Sequence, residues 1–242
     1  MAEMKNCADS PEPVEDVQGD GRWMSQHQRF ITEGKEKEPE VLLIGDSIIQ
    51  QMRFSKVWNT LFEPLHCLNF GIGGDQTQHV LWRATNGELD DVSPKVIVLM
   101  VGTNNHNHTA EQIVDGIMEI VCVIRSKQKD AQLVVMGVLP RGQNPNPLRI
   151  KNSKVNSLLE GKLQRRENVT FFAVEDEVFI GSDGTIGAGD MYDYLHLTPE
   201  GYTKLCEPLL EVVEHLLQLF VKVDNVSFDT GSMAGDLASD TQ

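Results

Sequence analysis

A chain of 242 residues can bury one sizeable core, and with 40% hydrophobic and 24% charged residues it has the composition of an ordinary globular domain, neither disordered nor fibrous. Its 21 basic against 36 acidic side chains leave a formal charge of −15, which disfavours any polyanionic partner and excludes nucleic acid as an expected ligand. Cys7, Cys67, Cys122 and Cys206 form no CxxC pair and no dense framework, so they read as reduced thiols of a cytoplasmic protein.

In chain order, residues 1–20 are polar and acidic with no apolar periodicity, which predicts a mobile N-terminal tail. They lack the basic start and apolar stretch of a secretory signal. With no 18-residue apolar run anywhere, no integral membrane insertion is expected. Nearly continuous apolar runs at 41–44, about 65–70, 96–101, 133–139 and 169–174 predict strands covered on both faces. Helical patterns fill the gaps. The clearest begins after Thr109, with Gln112 placed for a capping box and Ile113, Ile117, Val121 and Ile124 on one face; another begins at Thr198-Pro199 and carries Leu205, Leu209, Val212 and Leu216. Residues 221–242 return to a polar, poorly patterned tail. The expected architecture is therefore one α/β domain over residues 21–220, built on a central parallel sheet of about five strands.

In such sheets ligands bind beyond the carboxyl ends of the strands, where helix N-termini expose unpaired N–H groups. The polar and glycine-rich clusters of this sequence fall on that rim. Gly45-Asp46-Ser47 ends the first strand, NFGIGGD (69–75) the second and VGTNNH (101–106) the third, while DMYDYLHLT (190–198) precedes the last helix. Acyl transfer by a hydroxyl needs a base, a carboxylate to orient that base, and donors for the oxyanion. Ser47, His196, Asp193 and the Gly and Asn loops supply these parts.

Each residue also has a plainer reading. A lone Ser at a strand-to-helix edge reads first as an N-cap, Gly73 and Gly74 as a tight turn, and Asn104 and Asn105 as turn residues; spacing alone does not choose within either pair. The glycines do not form a dinucleotide fingerprint, because Asp75 and Gln76 follow where a third glycine would be needed. His79, His106 and His108 lack the cysteine or carboxylate pattern that would complete a metal site. The run from Pro140-Arg141 to Arg149 reads as an irregular rim loop.

Taken together, GDS (45–47), GIGGD (71–75), GTNN (102–105) and DYLH (193–196) resemble the four blocks of the SGNH or GDSL hydrolase superfamily. Longer stretches, among them LNFGIGGDQTQHVLWR and LPRGQNPNPLR, look like the catalytic α subunits of type I platelet-activating factor acetylhydrolases from about residue 17 to about residue 220. The resemblance implies a flavodoxin-like three-layer α/β/α fold, with Ser47 as nucleophile, His196 as base and Asp193 as its orienter. It implies the Ser47 N–H, the Gly74 N–H and the Asn104 amide as oxyanion donors. It further implies phospholipid substrates with a short sn-2 acyl group, hydrolysed without calcium, metal or other cofactor. The partners it implies are a second catalytic α subunit, in a homo- or heterodimer, and a WD40-repeat regulatory subunit. Met100 stands where the family has Trp, which bears on pocket shape rather than on the catalytic groups. An α/β-hydrolase esterase would need a Gly-x-Ser-x-Gly pentapeptide that this chain lacks. A non-catalytic dimeric scaffold for a WD40 partner is the alternative that esterase activity decides.

Overall fold

The computed structural model describes residues 6–232, with side chains through residue 220. Five parallel strands, β1 (Val41–Gly45), β2 (Cys67–Gly71), β3 (Val96–Met100), β4 (Gln132–Met136) and β5 (Val169–Phe172), lie in the order β2-β1-β3-β4-β5. Successive strand residues face opposite sides. Leu42, Ile44, Ile97 and Leu99 meet α1 (Arg22–Glu36), α3 (Thr77–Thr85), α4 (Ala110–Lys127) and α5 (Pro147–Leu163) through Phe30, Val80, Ile113 and Leu159. Val41, Leu43, Val96 and Val98 face α2 (Ser47–Met52), a π-helical turn (Trp58–Phe62) and α6 (Pro199–Ser232), through Ile49, Phe62, Leu205 and Leu209. This double cover is why the strands read as unbroken apolar runs: each such side chain gains roughly 1.5–3 kcal/mol on full burial.

The sequence elements sit where the patterns put them. Thr109 Oγ1 accepts from Gln112 N (3.3 Å) while Gln112 Oε1 accepts from Thr109 N (2.9 Å), so α4 starts with the expected capping box. Because β1 pairs with both β2 and β3, the crossovers leave it in opposite directions, and a crevice opens beyond the carboxyl ends of β1 and β3.

The two tails differ from expectation. Residues 6–20 lie on the body rather than loose: Ala8 is fully buried, Asn6 Nδ2 donates to Gln112 O (3.3 Å), Thr77 Oγ1 to Ala8 O (2.8 Å) and Glu12 N to Gln78 O (3.2 Å). This strap docks through backbone groups and short polar side chains, which leave no hydrophobic period to read. At the other end α6 runs through Pro208 and continues to Ser232, past the expected boundary at 220, because once a helix is nucleated each added residue gains a hydrogen bond and no proline follows residue 208 within it. The remainder of the expected tails, 1–5 and 233–242, lies outside the described residues.

The first turn of α2 is capped by Asp46, whose Oδ1 accepts from Ile48 N (2.9 Å). Ser47 is therefore the first helical residue and not the cap, and its hydroxyl is left free for other work. Complete burial pushes the Asp46 carboxyl from its usual 3.8 up to about 7, with the Ile48 N–H pulling the other way.

Two outcomes follow. A carboxyl raised in the folded state contributes stability that is fully present below pH 4 and lost as pH rises toward 7. The unfolding free energy of Asp46→Asn, compared with wild type by urea titration, should therefore gain by at most about 1.4 kcal/mol per pH unit between pH 4 and 7 and level off above. A Cβ at Gly116 would come within 2.4 Å of Ala8 O. Gly116→Ala should thus speed limited proteolysis within residues 6–20 while the body stays resistant; an unchanged cleavage rate would mean that the strap is not seated on α4.

Candidate active site

Local packing brings the strand ends together. Gly45 has no room for a side chain, since a Cβ there would sit 2.1 Å from Met100 O, so β1 and β3 approach closely where the chain turns into α2. The same holds at Gly71, where a Cβ would lie 2.2 Å from Gln50 N. Buried Asn69 then ties β2 to α2, donating from Nδ2 to Ile49 O (2.6 Å) and accepting from Gly71 N (3.0 Å).

His196 arrives from the far end of the chain. Residues 190–198 close on themselves, with Tyr192 N donating to His196 O (3.0 Å) and Thr198 N to Asp190 O (2.9 Å). Gly201 lets α6 start hard against this loop, because a Cβ there would be 2.2 Å from Asp190 O. Tyr194 is held in the left-handed region at φ 61°, a conformation that costs a non-glycine residue on the order of 1–3 kcal/mol, and Gly142 N braces its carbonyl (2.7 Å).

The outcome is a continuous chain of hydrogen bonds. Ser47 Oγ lies 2.9 Å from His196 Nε2, and His196 Nδ1 lies 2.7 Å from Asp193 Oδ2. The other Asp193 oxygen accepts from the backbone N–H groups of His196 (2.7 Å) and Leu195 (3.1 Å). Partial desolvation opposes ionisation of Asp193, but these bonds, led by the His196 N–H, outweigh it and hold the carboxyl below its usual range. An ionised carboxylate there fixes the proton on Nδ1 and leaves Nε2 free to accept from Ser47. Tyr192 stacks on the imidazole at 5.8 Å and 17°, with its hydroxyl on Gln51 Oε1 (3.2 Å).

The asparagines separate cleanly. Asn105 is fully buried and spent on α3: its Oδ1 accepts from Thr77 N (3.0 Å) and its Nδ2 donates to Thr77 Oγ1 (3.0 Å). Asn104 donates one amide hydrogen to Asp75 O (3.0 Å), which leaves the second for a ligand. In the glycine pair, a Cβ at Gly73 would meet Gln50 Oε1 at 2.9 Å and Ser47 Cβ at 3.8 Å, whereas Gly74 takes φ +84° with open space where a Cβ would stand. Gly73 and Gly74, with Gln50, Ile72, His79 and Trp23, line a cavity of about 690 Å³ whose outer wall is the strap from Pro13 to Gln18.

Several residues went unassigned in the sequence. Arg141, in the proline-rich rim loop, donates to Thr103 O (2.8 Å) and Oγ1 (3.1 Å) and so fastens the loop that carries Asn104. Arg83, Glu88, Trp23 and His27 form a buried polar group behind Asp75, and a basic residue inside the apolar face of α3 was the one signal of it. His79 accepts from Gln76 N (3.1 Å) in a capping box, and burial, with Arg83 nearby, pushes it down to about 4, so it is neutral at physiological pH. Met100 is buried among the residues facing α6 rather than in the cavity.

Residues 43–204 match the model of the GDSL-like lipase/acylhydrolase family. The chain is 54% identical over 217 residues to human platelet-activating factor acetylhydrolase IB subunit alpha1, covering 90% of this chain and 94% of that protein. It is 54% identical over 213 residues to the mouse alpha2 subunit, covering 88% and 93%. Among solved structures, a GDSL-like lipase from Bacteroides thetaiotaomicron superposes with a TM-score of 0.66 at 18% identity over 78% of this chain and 97% of its own. A carbohydrate acetylesterase, Est24 from Sinorhizobium meliloti, gives 0.56 at 17% over 74% and 100%, so the fold is shared well beyond sequence similarity. The chain belongs to the GDSL-like lipase/acylhydrolase family and is an ester hydrolase.

Proposed function

We propose that this protein removes the sn-2 acetyl or other short acyl group of platelet-activating factor and related phospholipids through an acyl-enzyme on Ser47. The observation that carries the reading is the unbroken Ser47–His196–Asp193 hydrogen-bond chain, with Gly73 packed close to Ser47. The substrate class rests on the 54% identity to proteins named for that activity.

As the Ser47 oxygen attacks the sn-2 carbonyl, His196 Nε2 takes its proton, and Asp193 stabilises the imidazolium that results. The carbonyl oxygen, now negative, is met by the Ser47 N–H at the positive end of α2, the Gly74 N–H and the free Asn104 amide hydrogen. Collapse breaks the bond to the glycerol oxygen, which leaves with the proton from His196. Water, deprotonated by the same nitrogen, attacks the acetyl-serine and releases acetate. No metal or cofactor enters any step.

On the same resemblance the protein works as the catalytic subunit of a homo- or heterodimer, bound by a WD40-repeat subunit, in the cytoplasm. No helix among the described residues is long and apolar enough to cross a membrane.

A fluorophosphonate probe should label wild type at Ser47, and an sn-2 acetyl ether phospholipid should release acetate, while Ser47→Ala does neither. Folded wild type that stays unlabelled and inactive would instead mark the chain as a binding subunit. Asn104→Ala should keep its fold and lose about 100- to 1,000-fold in kcat with chelators having no effect on either protein, and a near-normal rate would remove Asn104 from the oxyanion site.

A further inference from the structure

Behind the oxyanion loop lies a buried charge cluster that the mechanism does not use. Arg83, on α3, is fully buried; its Nε donates to Asp75 Oδ2 (2.8 Å), its Nη1 to Glu88 Oε2 and its Nη2 to the Gly45 carbonyl (3.1 Å). Asp75 Oδ1 accepts from Trp23 Nε1 (2.7 Å), and Glu88 Oε1 lies 2.9 Å from His27 Nδ1. Burial raises the Asp75 carboxyl to about 6 against the pull of Arg83, so it remains a carboxylate at neutral pH.

Stability alone does not account for such a cluster. Desolvating an ion triad offsets most of its attraction, and well-packed apolar replacements are often neutral or stabilising. Its connections explain it better. The Gly45 carbonyl, two residues before Ser47, also accepts from Ile72 N (3.0 Å) and so joins the end of β1 to the start of the loop bearing Gly74. The Asp75 carbonyl, one residue past Gly74, accepts the Asn104 amide (3.0 Å) and sets its direction. One planar guanidinium thus fastens the backbone next to the Ser47 and Gly74 N–H groups and, through Asp75, the residue whose carbonyl holds the Asn104 amide, a geometry that a lysine cannot reproduce.

We propose that Arg83 and Asp75 are positioning residues of the oxyanion site, with Trp23 as the outer anchor. Arg83 fixes the distance between the Ser47 turn and the Gly74 loop, and Asp75 aims the Asn104 amide. Neither touches substrate. Donors preorganised in this way act in the transition state more than in substrate binding, so loosening them lowers kcat and leaves KM nearly unchanged. This inference rests on the esterase reading given above.

The test is a set of double-mutant cycles on purified protein: Asp75→Asn, Arg83→Lys and Trp23→Phe, each alone and with Asn104→Ala. Acetate release from the acetyl ether phospholipid, fluorophosphonate labelling rate and urea unfolding are read for each. Asp75→Asn and Arg83→Lys should lower kcat about 10-fold or more, and Trp23→Phe by a smaller factor, with KM within about threefold of wild type. In the Asn104→Ala background each substitution should cost markedly less, because the donor being aimed is already gone. Folded single variants with wild-type kcat, or losses that multiply unchanged with Asn104→Ala, would overturn the proposal. Should the buried substitutions fail to fold, Trp23→Phe, which keeps an aromatic ring while removing the N–H to Asp75 and part of the indole, decides by its effect on kcat with and without Asn104→Ala. If wild type itself neither labels nor turns over, the esterase reading falls; if wild type is active and the variants match it, only the positioning role does.

Discussion

The close approach of β1 to β3 at Gly45 is the constraint from which the site follows. With no side chain at that position, Asp46 N can donate to Met100 O (3.3 Å) and the chain can turn at once into α2, which leaves Ser47 as its first helical residue. A Cβ at Gly45 would collide with a backbone oxygen, which cannot rotate away as the end of a flexible side chain can. The carbonyl of the same residue then serves Ile72 and Arg83, so the Ser47 turn and the Gly74 loop share one anchor. Parallel strands supply the rest by placing every carboxyl end, and the helix N-terminus that follows it, on one rim.

Much of this architecture was legible because it obeys a period. Strands covered on both faces show as apolar runs, and the Thr109 and Thr198 starts show as cap chemistry. The N-terminal strap was not legible, since Asn6, Ala8 and Glu12 dock through polar and main-chain groups that recur at no interval. The long α6 was cut short for a related reason: residues 221–232 lack the apolar stripe that marked its first half, yet helix propagation needs no such stripe.

The site was legible as a set of residue types on one rim, and less so as a geometry. Asn104 and Asn105 are adjacent and chemically identical; what distinguishes them is that Asn105 is taken up by Thr77 in the first turn of α3 while Asn104 reaches the Asp75 carbonyl, a matter of chain direction that spacing does not encode. Ser47 and the capping role parted for the same reason, because Asp46 reaches Ile48 N first. The charge cluster behind Asp75 was hidden more deeply. Arg83 stands out on the apolar face of its helix, but Glu88 looks in sequence like an ordinary surface charge of the following turn, and only three-dimensional burial makes them partners.

The span between Ser47 and His196 has a bearing on how the protein is made. Ser47 and His196 are separated by 149 residues, and Tyr202 on α6 reaches back 154 residues to Ile48 O (2.7 Å). During synthesis the Ser47 turn, the Gly74 loop and most of the sheet emerge first, while His196 and the helix that follows it come last. A nascent or prematurely terminated chain therefore carries a serine with no imidazole beside it. The Ser47–His196–Asp193 hydrogen-bond chain closes only when translation is nearly complete.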